Sequence, residues 1–191
     1  MTKFIKDYGF WIITHLAAVV MAVMLLLISG SWKTLTPYSG YSSACFLVAI
    51  LALNPLKSLF PTLLWVTKLN RHRQEIGVAA FSYAVIHLIC FIVKRGGFNE
   101  TLPYLFLHPA IVPAFWVAFI VMFLLALTSN RRSMKTLGFA KWKKLHKKVY
   151  YAELAVFIHM IILKEVMWAL ILFTPLLLLQ LARHHSVSKD A

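Results

Sequence analysis

Six apolar stretches, each close to the length that crosses a lipid bilayer, constrain this chain more than anything else in it. They run 10–28, 41–56, 76–93, 110–128, 149–163 and 166–182, and Glu153 in the fifth is the one Asp, Glu, Lys or Arg inside them. About 20 apolar residues in helical form match the hydrocarbon thickness. The fifth is short, and it is expected to begin earlier, near 146, through an amphipathic extension around 142–148 whose lysines reach up to the headgroups. Composition agrees: the chain is 61% hydrophobic and only 14% charged, whereas a soluble domain carries about 25% charged residues. The expectation is an all-α fold, an integral membrane bundle of six transmembrane helices near 10–28, 41–56, 76–93, 110–128, 146–163 and 166–182, with residues 1–191 forming one domain.

Charge then orients the bundle. Lys and Arg number 20 against six acidic residues, a net charge of +14, which in a soluble protein would suggest nucleic acid. With the N-terminus inside, only Lys33, Lys94, Arg95 and Lys164 fall on the outer side, and the other sixteen cations fall inside. The positive-inside rule therefore predicts six spans with both termini cytoplasmic. Because the charge sits in short loops between spans, the nucleic-acid reading is excluded. Lys3 and Lys6 precede the first stretch as in a signal peptide, but its apolar run is longer than a signal core and no small-residue cleavage pattern follows. The basic connection 130–148, with Trp142 and Leu145 interleaved, suits the headgroup level of an anionic leaflet. Lys164 and Glu165 alone separate the last two spans, which predicts a tight antiparallel pair. Cys45 and Cys90 lie in apolar runs with no CxxC and no heme-attachment motif, so neither a disulfide framework nor covalent heme is indicated.

Histidine carries the chemical information. His15, His87 and His159 lie inside spans, and an ionisable residue there marks function by default; the plain alternative is a neutral imidazole bonded to a neighbouring helix. His87 lies 11 residues beyond Ile76 and His159 lies 10 beyond Val149, on two spans that run the same way. Both fall in the outer half of the bilayer, on helices able to face each other. Two neutral imidazoles so placed are what a non-covalently held, low-spin heme requires. Phe81, Tyr83, Phe91 and Phe157 suit a porphyrin and suit ordinary packing equally. His146 precedes His159 by 13 residues, about 20 Å of helical rise, which would place a second, inner heme. Thirteen steps do not return to the same helix face, so both roles require an irregular helix or opposite sides of it. The setting Trp142-Lys-Lys-Leu-His146-Lys-Lys also fits a solvated interfacial histidine, which composition favours.

Other residues have local readings. Glu153, one turn above Tyr150, suits a quinone or proton path, or a bond to Lys147 or Tyr150 near the interface. Pro113 and Pro175 are expected to kink their helices or lie near their ends, and Asn54 before Pro55 reads as the cytoplasmic exit of the second span.

The stretch Arg73-Gln-Glu-Ile-Gly77 through His87-Leu88, with Leu127-Thr-Ser129 and Leu137-Gly138-Phe-Ala-Lys-Trp142-Lys-Lys-Leu-His146, resembles the ferric-reductase-like transmembrane superfamily. Within it the chain is most similar to the MsrQ family of heme-binding membrane subunits in periplasmic methionine sulfoxide reductase systems. The resemblance implies a cytochrome b-like protein holding heme b non-covalently, with ligation at His87, His159 and His146. It also implies electron transfer from the quinone pool or a cytoplasmic flavin reductase to a periplasmic molybdenum-containing subunit that repairs oxidised methionine, in the bacterial inner membrane and with no complete catalytic site on this chain. Such proteins are associated with FMN as well. Where two-heme relatives place an inner histidine on the third helix, this chain has Arg73, which would pair with a heme propionate, a flavin phosphate or a lipid headgroup. The chain ends eight residues after Arg183, so no cytoplasmic flavin and nicotinamide domain is expected. Two rivals remain: a stand-alone ferric or other metal reductase of the same fold, and a non-redox membrane transporter or assembly factor. The transporter is weakened by the lack of paired mid-membrane carboxylates and broken Gly-rich helices.

Overall fold

The structure is a computed structural model that describes residues 2–189, with side chains from Tyr8 to Ser186. The side chains of Lys3, Lys6 and Lys189, counted above for orientation, lie outside the described residues. Every regular element is helical: α1 (Thr2–Leu27), α2 (Trp32–Leu59), α3 (Leu64–Arg71), α4 (Arg73–Lys94), α5 (Phe98–Leu107), a π-helical segment (Pro113–Phe119) that continues into α6 (Ile120–Thr128), α7 (Arg131–Leu137), α8 (Phe139–His146), α9 (Val149–Ile162) and α10 (Val166–Lys189).

Four helices, α1, α2, α4 and α10, are long and apolar enough to cross a membrane. A fifth span results if Pro113–Thr128 and α7, bent by 95°, count as one. Length alone therefore supports four or five crossings where the sequence suggests six. The shortfall lies at the fifth predicted span. A turn at Lys147–Lys148 separates α8 from α9, leaving α9 with 14 residues, about 21 Å of rise. The expected amphipathic extension exists, but as a separate helix. Its entry is set by Gly138, whose φ of 76° is a left-handed conformation that a Cβ disfavours.

Lipid-facing and protein-facing sides differ as the bilayer demands. Large apolar side chains such as Leu16, Leu26, Leu154, Met167 and Leu178 stay exposed, because nothing drives them inward when the solvent is itself hydrocarbon. The interior is built around α2 and α4, the most extensively packed pair. Small residues make the approach possible: Ser39, Ser43 and Ala44 of α2 are buried, as are Ala79, Ala80 and Cys90 of α4. The Ser43 hydroxyl donates across the pair to the Ala80 carbonyl at 2.9 Å. The outer faces of this pair take α1 against α4 and α10 against α2, while α9 packs on the π-helical segment.

Several local expectations are revised. The second span begins at Trp32 rather than near 41 and continues past Pro55 to Leu59, so Asn54 lies inside the helix and not at its exit. There its Oδ1 accepts from the Arg73 guanidinium at 2.6 Å. Pro113 keeps the second of its two expected places, near the start of its helix, where its missing N–H costs nothing. Pro175 is accommodated within α10. Glu153 bonds neither Lys147 nor Tyr150. Gln180 of α10 donates its amide to both carboxylate oxygens, at 3.0 and 3.2 Å, because the Glu153 side chain points to the neighbouring helix instead of along its own.

Candidate functional site

The α4 and α9 histidines are brought together. The ring centroids of His87 and His159 lie 6.3 Å apart with planes at 88°, and both rings line one cavity of about 430 Å³. Each ring is held from behind by the backbone of a third element. His87 Nδ1 donates to the Thr36 carbonyl of α2 at 2.8 Å, and His159 Nδ1 donates to the Ala110 carbonyl at 2.8 Å. A carbonyl only accepts, so Nδ1 carries the proton in both rings and Nε2 keeps its lone pair. Neither Nε2 has a hydrogen-bond partner among the described residues. A histidine that donates one ring N–H to a carbonyl and offers the other nitrogen is the usual arrangement of a metal ligand.

Once the contacts are known, local sequence bears on both carbonyls. Ala110 stands three residues before Pro113, and proline has no N–H with which to close a tight turn onto that carbonyl. On the other side, α2 comes close enough because position 40 is glycine. A Cβ on Gly40 would sit 2.9 Å from His87 Cε1 and 3.0 Å from its Nδ1, closer than carbon atoms tolerate. Gly40 is therefore the cradle of the His87 ring.

The spacing passes a simple test for a shared metal. Two imidazoles on one metal ion, with bonds of about 2 Å, have ring centres about 6 Å apart. Among the described residues no group of three or more His, Cys, Asp or Glu side chains converges, so the pair suits a metal whose remaining ligands come from elsewhere, as in a porphyrin. The aromatic wall differs in part from the one expected. Phe91 lines the cavity, joined by Trp32, Phe115 and Phe119. By contrast, Phe81 packs on Phe119 and Phe123, Tyr83 stacks on Phe46, and Phe157 packs on Phe173. Phe115 and Phe119 share this face with Ile111, Ala114, Ala118 and Met122 at ordinary helical spacing; the span is apolar all round, so composition does not mark which of its faces turns inward.

His146 is not part of this pair. Its ring stacks on Trp142 at 4.0 Å and its Nε2 lies 3.3 Å from the Thr128 hydroxyl, while Trp142 donates its indole N–H to the Thr128 carbonyl at 3.0 Å. Together they pin α8 to the end of α6. The break at Lys147–Lys148 supplies the helix irregularity that a double role for α8 and α9 requires. Arg73 lies within electrostatic reach of His146, Tyr150 and Arg183, and its guanidinium donates to Asn54 and not to a carboxylate among the described residues. His15 is buried and stacks on Trp11; its Nδ1 bonds the Trp11 carbonyl and its Nε2 has no partner, apart from the cavity.

A membrane bundle with two histidines of facing helices opening on one cavity is the architecture of a transmembrane redox component, and sequence comparison agrees. Residues 39–161 match the family described as ferric reductase like transmembrane component, and the chain belongs to that family. The protein-methionine-sulfoxide reductase heme-binding subunit MsrQ of Rhizobium meliloti (strain 1021) is 33% identical over 123 residues, which are 60% of this chain and 50% of that protein. Magnetosome protein MamZ of Paramagnetospirillum magneticum is 30% identical over 127 residues, 65% of this chain and 19% of the relative. The chain thus spans about a fifth of the MamZ protein and half of the MsrQ protein that it matches. No solved structure matches.

Proposed function

We propose that the chain is a membrane electron-transfer subunit that holds heme b non-covalently between His87 and His159. The observation that carries the reading is the histidine pair itself: 6.3 Å between ring centres, both Nδ1 protons committed to backbone carbonyls, and both Nε2 lone pairs left over. A bound heme would supply one-electron chemistry; the protein supplies the ligand pair, its orientation and an apolar surround. The likeness to MsrQ supports an acceptor of the methionine sulfoxide reductase type on the periplasmic side. Electrons would come from the quinone pool or a cytoplasmic flavin reductase, with FMN as a further cofactor.

In this reading residues 1–191 form one heme domain of the inner membrane, both termini are cytoplasmic, and α9 is the short sixth crossing. Lysines at 147 and 148 and at 164 snorkel at its two ends. His146 and Arg73 belong to a cytoplasmic-side site, where an arginine with no carboxylate partner suits a propionate or a phosphate. The family description favours one second reading, direct reduction of a ferric ion at the outer face.

The test is a visible spectrum of the detergent-purified protein before and after dithionite. The expected result is a b-type reduced spectrum that His87→Ala and His159→Ala each remove; a colourless wild-type protein from heme-supplied cells would sink the proposal. Reconstitution with a sulfoxide reductase subunit or with ferric citrate then separates the two acceptors.

A further inference from the structure

The cavity around His87 and His159 is apolar along most of its wall, and its charged lining is confined to Lys33, Lys94 and Glu165. All three lie at one end of the bundle, where the α1–α2, α4–α5 and α9–α10 connections gather. Lys33 is the second residue of α2, Lys94 is the last of α4, and Glu165 lies between α9 and α10. Helical spacing puts the lysines over the ligand site. Lys33 precedes Gly40 by seven residues and Lys94 follows His87 by seven; seven residues are nearly two turns, about 10.5 Å of rise on the same face. Both lysines therefore stand two turns outward of the point where α2 and α4 press around the His87 ring.

Neither lysine lies within ion-pair distance of a carboxylate among the described residues. The Glu165 carboxylate, the anion in the cavity lining, accepts from the Tyr41 hydroxyl at 2.8 Å. Among the described residues the only ion pair is His72 with Glu75. The other cations at this end, Arg95 and Lys164, do not line the cavity, and the Arg95 guanidinium lies 3.6 Å over the Tyr104 ring. Two ammonium groups without an ion-pair partner, Lys33 lying 5.7 Å over the Trp32 ring, thus stand at the mouth of an apolar cavity lined further in by Ala44, Ala118 and Met122.

We propose that Lys33 and Lys94 bind the two propionate carboxylates of the heme and so fix its orientation, propionate edge toward the α1–α2 and α4–α5 connections. This rests on the heme reading above. The reverse orientation would place two carboxylates against alanine and methionine side chains, which costs several kcal/mol for each charge left unpaired. Lysine is suited to the task here: its flexible stem lies along the apolar wall while the ammonium reaches the polar end.

The experiment measures release of heme from the purified holoprotein to an excess of a heme-scavenging apoprotein. Lys33→Gln and Lys94→Gln should each speed release about two- to fivefold, as expected of partly exposed ion pairs, and the double variant on the order of tenfold. Lys33→Arg and Lys94→Arg should restore retention. Reconstitution with the heme dimethyl ester, which has no carboxylates, isolates the contact: the wild type should release the ester at the double variant's rate, and the substitutions should then change nothing. Release of ordinary heme at the wild-type rate by the double variant, or equal acceleration for ester and acid, would overturn the assignment. A wild type that shows no heme spectrum would overturn the underlying reading instead, and the spectrum recorded before the release assay separates the two failures.

Discussion

The two histidine clusters of this bundle make opposite use of the same side chain. At His87 and His159 each ring spends its N–H on a backbone carbonyl of another element and keeps an uncommitted nitrogen at a cavity. At His146 the ring is covered on one face by Trp142, and Nε2, the nitrogen that is free in the other pair, lies against the Thr128 hydroxyl. The difference lies in whether a ring nitrogen is left free at a cavity, and both conditions are needed: His15 also commits Nδ1 to a carbonyl and leaves Nε2 without a partner among the described residues, yet it opens on no cavity.

The comparison breaks most sharply if the wrong histidine carries the spectrum. Replacing His87 or His159 with alanine is expected to remove essentially all of the dithionite-reduced absorbance, whereas His146→Ala should leave most of it; a spectrum lost with His146 and kept without His87 would reverse the assignment. Next in size is Gly40→Ala. Its Cβ falls 2.9 Å from His87 Cε1, so the ring or α2 must shift, at a cost of about 1–3 kcal/mol. Heme occupancy should fall severalfold, and Gly77→Ala, whose Cβ meets only the tip of Ile50 at 3.3 Å, should barely change it. A smaller effect is expected at the fastener. Thr128→Val keeps the carbonyl that holds Trp142 but removes the hydroxyl, and should lower stability by about 1 kcal/mol, read as a drop in thermal midpoint with heme content unchanged. Smallest is Glu153→Gln, which keeps an amide-compatible partner for Gln180. It should shift stability by under about 1 kcal/mol and leave the heme spectrum intact; loss of quinol-driven reduction in this variant would move Glu153 from packing to electron supply.

Much of this was readable from residues. Four of the expected spans show, and a fifth if the bent pair is one span, because hydrocarbon tolerates few charges; the second, which the sequence begins too late, is among them. The pairing of His87 with His159 was also legible, as two imidazoles at similar depth on parallel helices. Three things were not. The carbonyls of Thr36 and Ala110 have no identity in a sequence, because any residue supplies one; only the prolines at 37 and 113 hint at irregular local bonding. The stripe that carries Phe115 and Phe119 to the cavity belongs to a span apolar on every side, so nothing in its composition marks the inward face. The short helices α3, α5, α7 and α8 carry too few residues for periodicity to register, and α8 reads as part of a longer helix because an amphipathic extension would bring the short fifth span to crossing length. The turn there follows from tertiary anchoring of Trp142 and His146, which propensity does not see.

The two backbone carbonyls have a consequence for speed. A side chain tethered through a rotatable partner swings when the charge in front of it changes, and that swing must be driven by each electron that arrives. A peptide carbonyl within or beside a packed helix does not follow. In the proposed heme site, rings braced on Thr36 and Ala110 would hold the same pose before and after a one-electron change, so the medium around the centre would have little to rearrange.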